Sequence, residues 1–496
     1  MFIGLKTMKR NNLIIVVRII AVLAFLESVI LTLCPTGREG LEGLFVLPLS
    51  FAMLCTVFGQ IVYYKGVGLK IYYMIAILRY MAQPAMIVLS NGRLNIIRMS
   101  IVEPQNYRIA LLLQVIEIFI AVVTISRCYP RLHDKYKVDV IEFNHETVQK
   151  KIKGINAGAW LLLFVYLFVL LRRFSIWFPA LNIFGLKAGV ESNFGPVDVT
   201  FFTVTKVIVF IAALEKMIKH KESRIRWFYT LILLVAVYFC AFTYFGSNRS
   251  SLMEMAITCF LLILFYLPEY KRIILHVIAP VFGVGFIGMS ISKTFGESGV
   301  GVFYGAQNMF QTVSNLLEEY TNGPWCIAQS YQASLNLTVG QHYEAFCKEI
   351  SDALGALTIF PGFKQFSDYT GGWRSAAEVM KYSFQSYDRG QMLSFSGGLF
   401  IDFGAMAWIL MPIITYLAIK LLVFFSVKSQ SESQDLIKKF IWVWSSILFS
   451  LIHCYCLQTL MYCMNKFVVL LMPFILFNYL VFKKKNVDLG GYKYES

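Results

Sequence analysis

Charge is scarce in this chain. Of 496 residues only 15% are Asp, Glu, Lys or Arg, against about 25% in an average soluble protein. Histidine is scarcer still, with six residues. There is no P-loop and no glycine-rich nucleotide-binding turn after a strand, which leaves ATP-driven transport without support. No Gly-x-Ser-x-Gly elbow and no His-Glu-x-x-His helix occurs either. No internal repeat stands out. Any chemistry must use scattered residues that the fold brings together.

Apolar sequence fills the space that charge leaves: 57% of residues are hydrophobic and 16% aromatic. One soluble core cannot absorb this, because such cores stop growing near roughly 250–300 residues. Runs of about 20 apolar residues recur, each long enough to cross roughly 30 Å of hydrocarbon. They are apolar all round rather than alternating, which points to helices and away from a porin-like barrel. The expected fold class is all-α, a polytopic integral membrane protein with about 12 transmembrane helices. The expected spans are roughly 13–34, 44–64, 71–91, 109–126, 157–171, 199–215, 227–246, 251–267, 273–292, 396–424, 440–463 and 466–482. The first run lacks a small-residue cleavage site and is expected to stay as a helix.

The formal net charge is +16. Its basic residues fall in alternate connections. These are Lys6, Lys9 and Arg10; the 127–156 connection with Arg127, Arg131, Lys135 and Lys150; and the 216–226 connection with Lys216, Lys219 and Arg224. Lys271 and Arg272, Lys438 and Lys439, and Lys483 to Lys485 follow. The positive-inside rule places them in the cytoplasm, together with both termini. That rule accounts for the charge without nucleic acid, and no RNA-binding aromatic motif accompanies it.

Three regions are expected: an N-terminal membrane bundle over 1–292 with about nine spans, a large extracytoplasmic segment over 293–395, and C-terminal spans with a short basic tail over 396–496. A connection this long is functional or disordered as a rule. This one is not of low complexity. It carries Trp325, Phe360 and Trp373 and the turn signals Asn322-Gly323-Pro324, Pro361-Gly362 and Gly371-Gly372. It is expected to fold as short helices on the membrane surface.

Most of the ten cysteines lie in expected spans and read as small apolar residues. Cys454 and Cys456 are two apart with His453 beside them, but no second Cys/His pair completes a metal site, so packing is the favoured reading. Cys326 and Cys347 share the large segment, where an oxidising compartment would allow a disulfide; two free thiols are the alternative. No cofactor and no metal is implied.

Charged groups inside spans mark function by default. Here they include Arg18, Glu27, Arg79, Glu117, Lys206, Glu254 and Asp402. Two places concentrate polar residues at an expected membrane face. The first is the tight turn Gly246-Ser247-Asn248-Arg249-Ser250-Ser251. It reads either as a polar hairpin cap or as an arginine held for an anionic headgroup, whose oxygens suit its planar donor fork. The second runs from Trp373-Arg374 through Asp388-Arg389-Gly390 into Ser396-Gly397-Gly398-Leu399-Phe400-Ile401-Asp402-Phe403-Gly404. Close helix packing explains the glycines; it does not explain Asp402.

These stretches resemble the Wzy-type O-antigen polymerases, or oligosaccharide repeat-unit polymerases. Gly246 to Ser251 is similar to that family's Gly-(Ser/Thr)-Arg turn with Asn248 inserted. Ser396 to Gly404 is similar to its glycine-flanked helix after a large periplasmic loop, and Phe360-Pro361-Gly362 to a Pro-Gly stretch within that loop. The likeness covers mainly 227–410. The related ligases carry a His-rich stretch where this chain reads Gln391-Met392-Leu393-Ser394-Phe395, which argues against a ligase.

The resemblance implies a GT-C-like architecture in a bacterial inner membrane. It implies joining of undecaprenyl-diphosphate-linked oligosaccharide repeat units, donor to acceptor, at the periplasmic face. Its product is O-antigen, capsule or exopolysaccharide, and a chain-length regulator and a flippase of the same pathway are implied partners beside membrane lipid. Under it, Arg249, Arg374 and Arg389 stabilise the departing diphosphate. Asp388 and Asp402, with Glu378 behind them, are candidates to orient or deprotonate the acceptor hydroxyl. Trp325 and Trp373 are candidates to face sugars, with packing in the core of the segment as the equal alternative. The competing expectations are a lipid-linked oligosaccharide flippase or other secondary transporter using Arg79, Glu117 and Lys206, another membrane glycosyltransferase or acyltransferase, and a non-catalytic scaffold.

Overall fold

A computed structural model describes residues 2–57, 66–92, 102–136, 155–177, 181–182, 196–245, 249–278, 309–358, 361–383, 393–431 and 435–457, with isolated positions at 280, 283 and between 460 and 476. The architecture is helical. Among the described residues the strands are limited to Leu181–Asn182 and Tyr244–Phe245, which pair antiparallel.

Four helices among these residues are long and apolar enough to cross a membrane: Ile14–Leu33, Val67–Leu89, Pro104–Lys135 and Phe395–Gln430. A fifth results if Met253–Tyr266 and Pro268–His276, bent by 118° at their junction, form one broken span. Shorter apolar helices run over Glu42–Cys55, Gly158–Arg172 and Arg226–Ala241. Their faces carry large exposed apolar side chains, such as Ile15, Ile19 and Leu26 on the first helix and Ile409, Ile413 and Leu417 near the end of the chain. Exposed apolar surface on this scale fits insertion in a membrane. Most of the expected run at 466–482 lies outside the described residues.

Local sequence explains where helices start. Pro104 and Pro324 stand in first turns, where a missing N–H costs nothing. The Asp435 side chain accepts from the N–H groups of Ile437 and Lys438 at 3.0 and 3.1 Å, starting Leu436–Ser450. Thr338 and Gln341 form a reciprocal capping box at the head of Val339–Ala353. Asn322, at φ 48°, makes the turn expected at Asn322-Gly323-Pro324.

Residues 309–358 and 361–383 supply a lobe of short helices, Met309–Thr321, Pro324–Leu335, Val339–Ala353, Pro361–Tyr369 and Ala376–Ser383, that is not laid on the surface as expected: Met309–Thr321 packs on Gln83–Leu89 and Pro324–Leu335 on Pro104–Lys135. The helix Phe395–Phe403 is its hub. Pro324–Leu335, Val339–Ala353 and Ala376–Ser383 all pack on it, and it leads into Ala407–Gln430. Gly397 permits this: a Cβ there would lie 2.6 Å from the Ser330 Cβ. Gly404 ends the hub at φ +55°, ψ −133°, a conformation open essentially to glycine.

Candidate functional site

A cleft of about 460 Å³ opens between Val339–Ala353 and the segment leading into Ala376–Ser383. Its walls include Gln341, Glu344, Trp373, Arg374, Val379 and Tyr382. The Arg374 guanidinium carbon lies 4.0 Å from the centre of the Tyr382 ring, a cation–π contact that steadies the fork. Trp373 meets Tyr369 and Tyr343 edge-on, at centroid distances of 4.9 and 6.3 Å. Tyr343 and Tyr369 are 62% and 69% exposed, so the aromatic group is a rim and not a core. The lining is more polar than apolar, with Gln341, Glu344, Arg374 and Ser383 beside Trp373, Val379 and Tyr382, so the cleft suits a polar ligand rather than a hydrophobic one.

The other sequence candidates lie elsewhere. Asp402 is 2% exposed, inside the hub helix, where it faces Glu349 of Val339–Ala353. Burial, with Asp402 beside it, pushes the Glu349 carboxyl well above the ordinary glutamate range. Glu378 is a capping residue: its carboxylate accepts from the Ser375 N–H at 2.9 Å, and Ser375 Oγ accepts from the Glu378 N–H. Trp325 is buried among the lobe helices. Arg249 opens the helix Arg249–Tyr266, and its side chain lies outside the described residues, as do Asp388 and Arg389 altogether. Glu254 accepts from the Tyr455 hydroxyl at 2.5 Å. Lys206 donates to the Thr243 carbonyl at 2.7 Å. Cys326 and Cys347 are free thiols, and Cys326 Sγ donates to the Asn322 side chain at 3.3 Å.

A second constellation lies inside the bundle. Residues Leu78–Ala82 make one π-helical turn between Val67–Ile77 and Gln83–Leu89, and that turn presents Arg79. Arg79 is fully buried. Its Nη2 donates to Glu117 at 2.9 Å, and its Nη1 donates to the carbonyls of Thr321 and His453 at 3.1 Å each. His453 Nδ1 lies 3.4 Å from the same Glu117 oxygen, and His453 Nε2 is 2.7 Å from the Tyr72 hydroxyl. One step further, Gln83 donates to Glu318, which also accepts the Cys326 N–H at 2.8 Å. The sequence singles out Arg79 and Glu117 as costly charges and sets His453 only beside Cys454 and Cys456; nothing in it marks Glu318, Glu344 or Glu349.

Burial pushes the Glu318 carboxyl up to about 7, against the opposing pull of the Cys326 N–H, Arg79 and Gln83. The folded value is raised, so its stabilising share is complete below the ordinary glutamate value of about 4.3 and is lost as pH rises through about 7. Melting temperature of wild type should therefore fall relative to Glu318→Gln across that window. A constant difference between the two would remove Glu318 as the titrating group.

Among the described residues no group of three or more His, Cys, Asp or Glu side chains is placed to hold a metal ion. Comparison with known protein families, curated proteins and solved structures finds no match for this chain.

Proposed function

We propose that the protein is a membrane glycosyltransferase that joins undecaprenyl-diphosphate-linked oligosaccharide repeat units into a surface polysaccharide. The reading places about 12 spans in a bacterial inner membrane, both termini in the cytoplasm and the 309–383 lobe in the periplasm. The observation that carries it is the cleft, where Arg374 and the Trp373 rim stand together between helices that pack on Phe395–Phe403. An aromatic rim suits the flat apolar faces of sugars, and a steadied guanidinium suits a phosphate or a sugar carboxylate.

In this reaction an acceptor hydroxyl attacks the anomeric carbon of the donor glycan. A new C–O bond forms as the bond to diphosphate breaks, and undecaprenyl diphosphate leaves with the electron pair. Arg374, with Arg249 and Arg389, offsets the charge that grows on it. The hydroxyl proton passes to a carboxylate. Glu344 lines the cleft and takes this role ahead of Asp402, which is buried and does not line it; Asp388 remains the other candidate.

Gel analysis of surface polysaccharide in a deletion strain tests the reading. Wild type should restore a ladder. Arg374→Ala should leave mainly single repeat units at normal protein abundance, because Arg374 is exposed and outside the core. Loss of one such donor typically slows the chemical step about 10²–10³-fold. A full ladder from Arg374→Ala removes the cleft from the mechanism.

The buried Arg79–Glu117–His453 group favours a second reading, a transporter of lipid-linked oligosaccharide, because charges inside candidate spans mark transport pathways. Single units accumulating on the cytoplasmic side of the deletion strain would select it.

A further inference from the structure

We propose that Glu349 and Asp402 share one proton, and that this proton latches the 309–383 lobe onto the Phe395–Gln430 span. The inference is independent of what the cleft binds. Glu349 and Asp402 are each 2% exposed, and their side chains face each other where Val339–Ala353 packs on Phe395–Phe403. No donor closes a hydrogen bond on any of the four carboxyl oxygens. The Ala376 N–H lies near enough to favour charge on Glu349 but does not complete a bond. Two carboxylates offer four acceptors and no donor. One proton supplies the missing donor and removes one of two buried like charges, so a single addition resolves both defects.

The charged groups on the elements packed around the pair form no ion pair with it among the described residues; they include Glu344 on the helix of Glu349, and Lys364 and Asp368 on Pro361–Tyr369, which packs against that helix. On Val339–Ala353, Lys348 is engaged with Asp352 at 2.9 Å, and Asp352 adds further negative charge near Glu349. His342 on the same helix turns its Nδ1 to the Ile401 carbonyl at 2.6 Å. Ahead of Ala376–Ser383, Arg374 lies over Tyr382, and Glu378 caps Ser375. Pro324–Leu335 carries no charged residue. Across the hub, His453 faces Glu117. Among the described residues, no ion pair reaches Glu349 or Asp402.

The pair joins three elements that matter to the cleft. Glu349 sits on the helix that carries Gln341 and Glu344, and it faces the first residue of the helix that carries Val379 and Tyr382. Asp402 sits two residues before the glycine break into Ala407–Gln430. Glu349 and Asp402 are thus positioning residues. Loss of the proton sets two buried charges against each other at the joint, so the lobe should loosen as pH rises.

The test uses the full chain in lipid nanodiscs. Hydrogen exchange over 339–353, 376–383 and 395–403, corrected for the intrinsic rate, is followed from about pH 6 to about pH 9. Wild type should lose protection in all three segments by about tenfold or more toward the alkaline end. D402N and E349Q each supply an N–H donor that does not titrate, so both should fold and keep protection flat. An infrared difference between wild type and D402N at neutral pH should contain the carbonyl band of a protonated carboxylic acid. The proposal is overturned by the absence of that band, by the same alkaline loss in D402N and E349Q, or by failure of both amide variants to fold.

Discussion

Arg79→Ala is expected to remove the folded protein from the membrane. Arg79 is fully buried and answers three separate partners: the Glu117 carboxylate, the Thr321 carbonyl and the His453 carbonyl. Alanine leaves Glu117 charged and buried, with His453 at 3.4 Å and Ser396 as its neighbours. It also leaves two helix-end carbonyls without their donor. Removing one partner of a buried ion pair typically costs about 3–5 kcal/mol. A protein with about 5–15 kcal/mol to lose seldom survives that in a cell. Arg79→Lys should recover little, because one ammonium cannot reproduce a planar fork that serves three acceptors in different directions. Immunoblotting of membranes, with size-exclusion profiles in detergent, gives the answer. Wild-type abundance and a monodisperse peak from Arg79→Ala would show that the cluster is dispensable for folding, and would strengthen the transporter reading.

Gly68→Ala should be the next most damaging change, although it adds one methyl group. A Cβ at Gly68 would stand 2.3 Å from the Ser446 carbonyl oxygen and 2.8 Å from Ser426 Oγ. The first is backbone and cannot rotate away. Val67–Ile77 must then retreat from Leu436–Ser450, and its other contacts move with it. Overpacking of this kind costs about 1–3 kcal/mol, and small residues at helix crossings in membranes exist to avoid it. Gly362→Ala is the control, since no atom lies within 4 Å of its added Cβ. A melting temperature lowered by Gly68→Ala and unmoved by Gly362→Ala is the expected pattern. Equal melting temperatures would mean that the two helices do not cross this closely.

Much of the helical architecture was legible because apolar length is a local property. The runs near 13–34, 109–126 and 396–424 each became part of a long apolar helix. The span count was less legible, since a kinked pair such as Met253–Tyr266 and Pro268–His276 has the same composition as a straight helix. Partnerships were not legible at all. Arg79 and Glu117 stood out as costly charges, but nothing along the chain joins positions 38 residues apart. His453 was weighed with Cys454 and Cys456, its sequence neighbours, whereas its partners are Tyr72 and Glu117. Glu318 and Glu349 drew no notice because acids are ordinary in a connecting segment; burial is what sets them apart. Arg374 was nominated for its charge, and its setting in a cleft was not visible. The glycines at 397 and 404 were explained by close packing, and the Ser330 and His342 contacts bear that out.

The reach of Arg79 also sets an order on biogenesis. A ribosome delivers this chain from its amino end, so the arginine is made long before two of its three acceptors exist. Glu117 arrives next and neutralises the charge. The Thr321 carbonyl comes only after the lobe has begun to emerge, and the His453 carbonyl near the close of synthesis. For most of its manufacture the chain therefore holds this guanidinium with only part of its final set of acceptors.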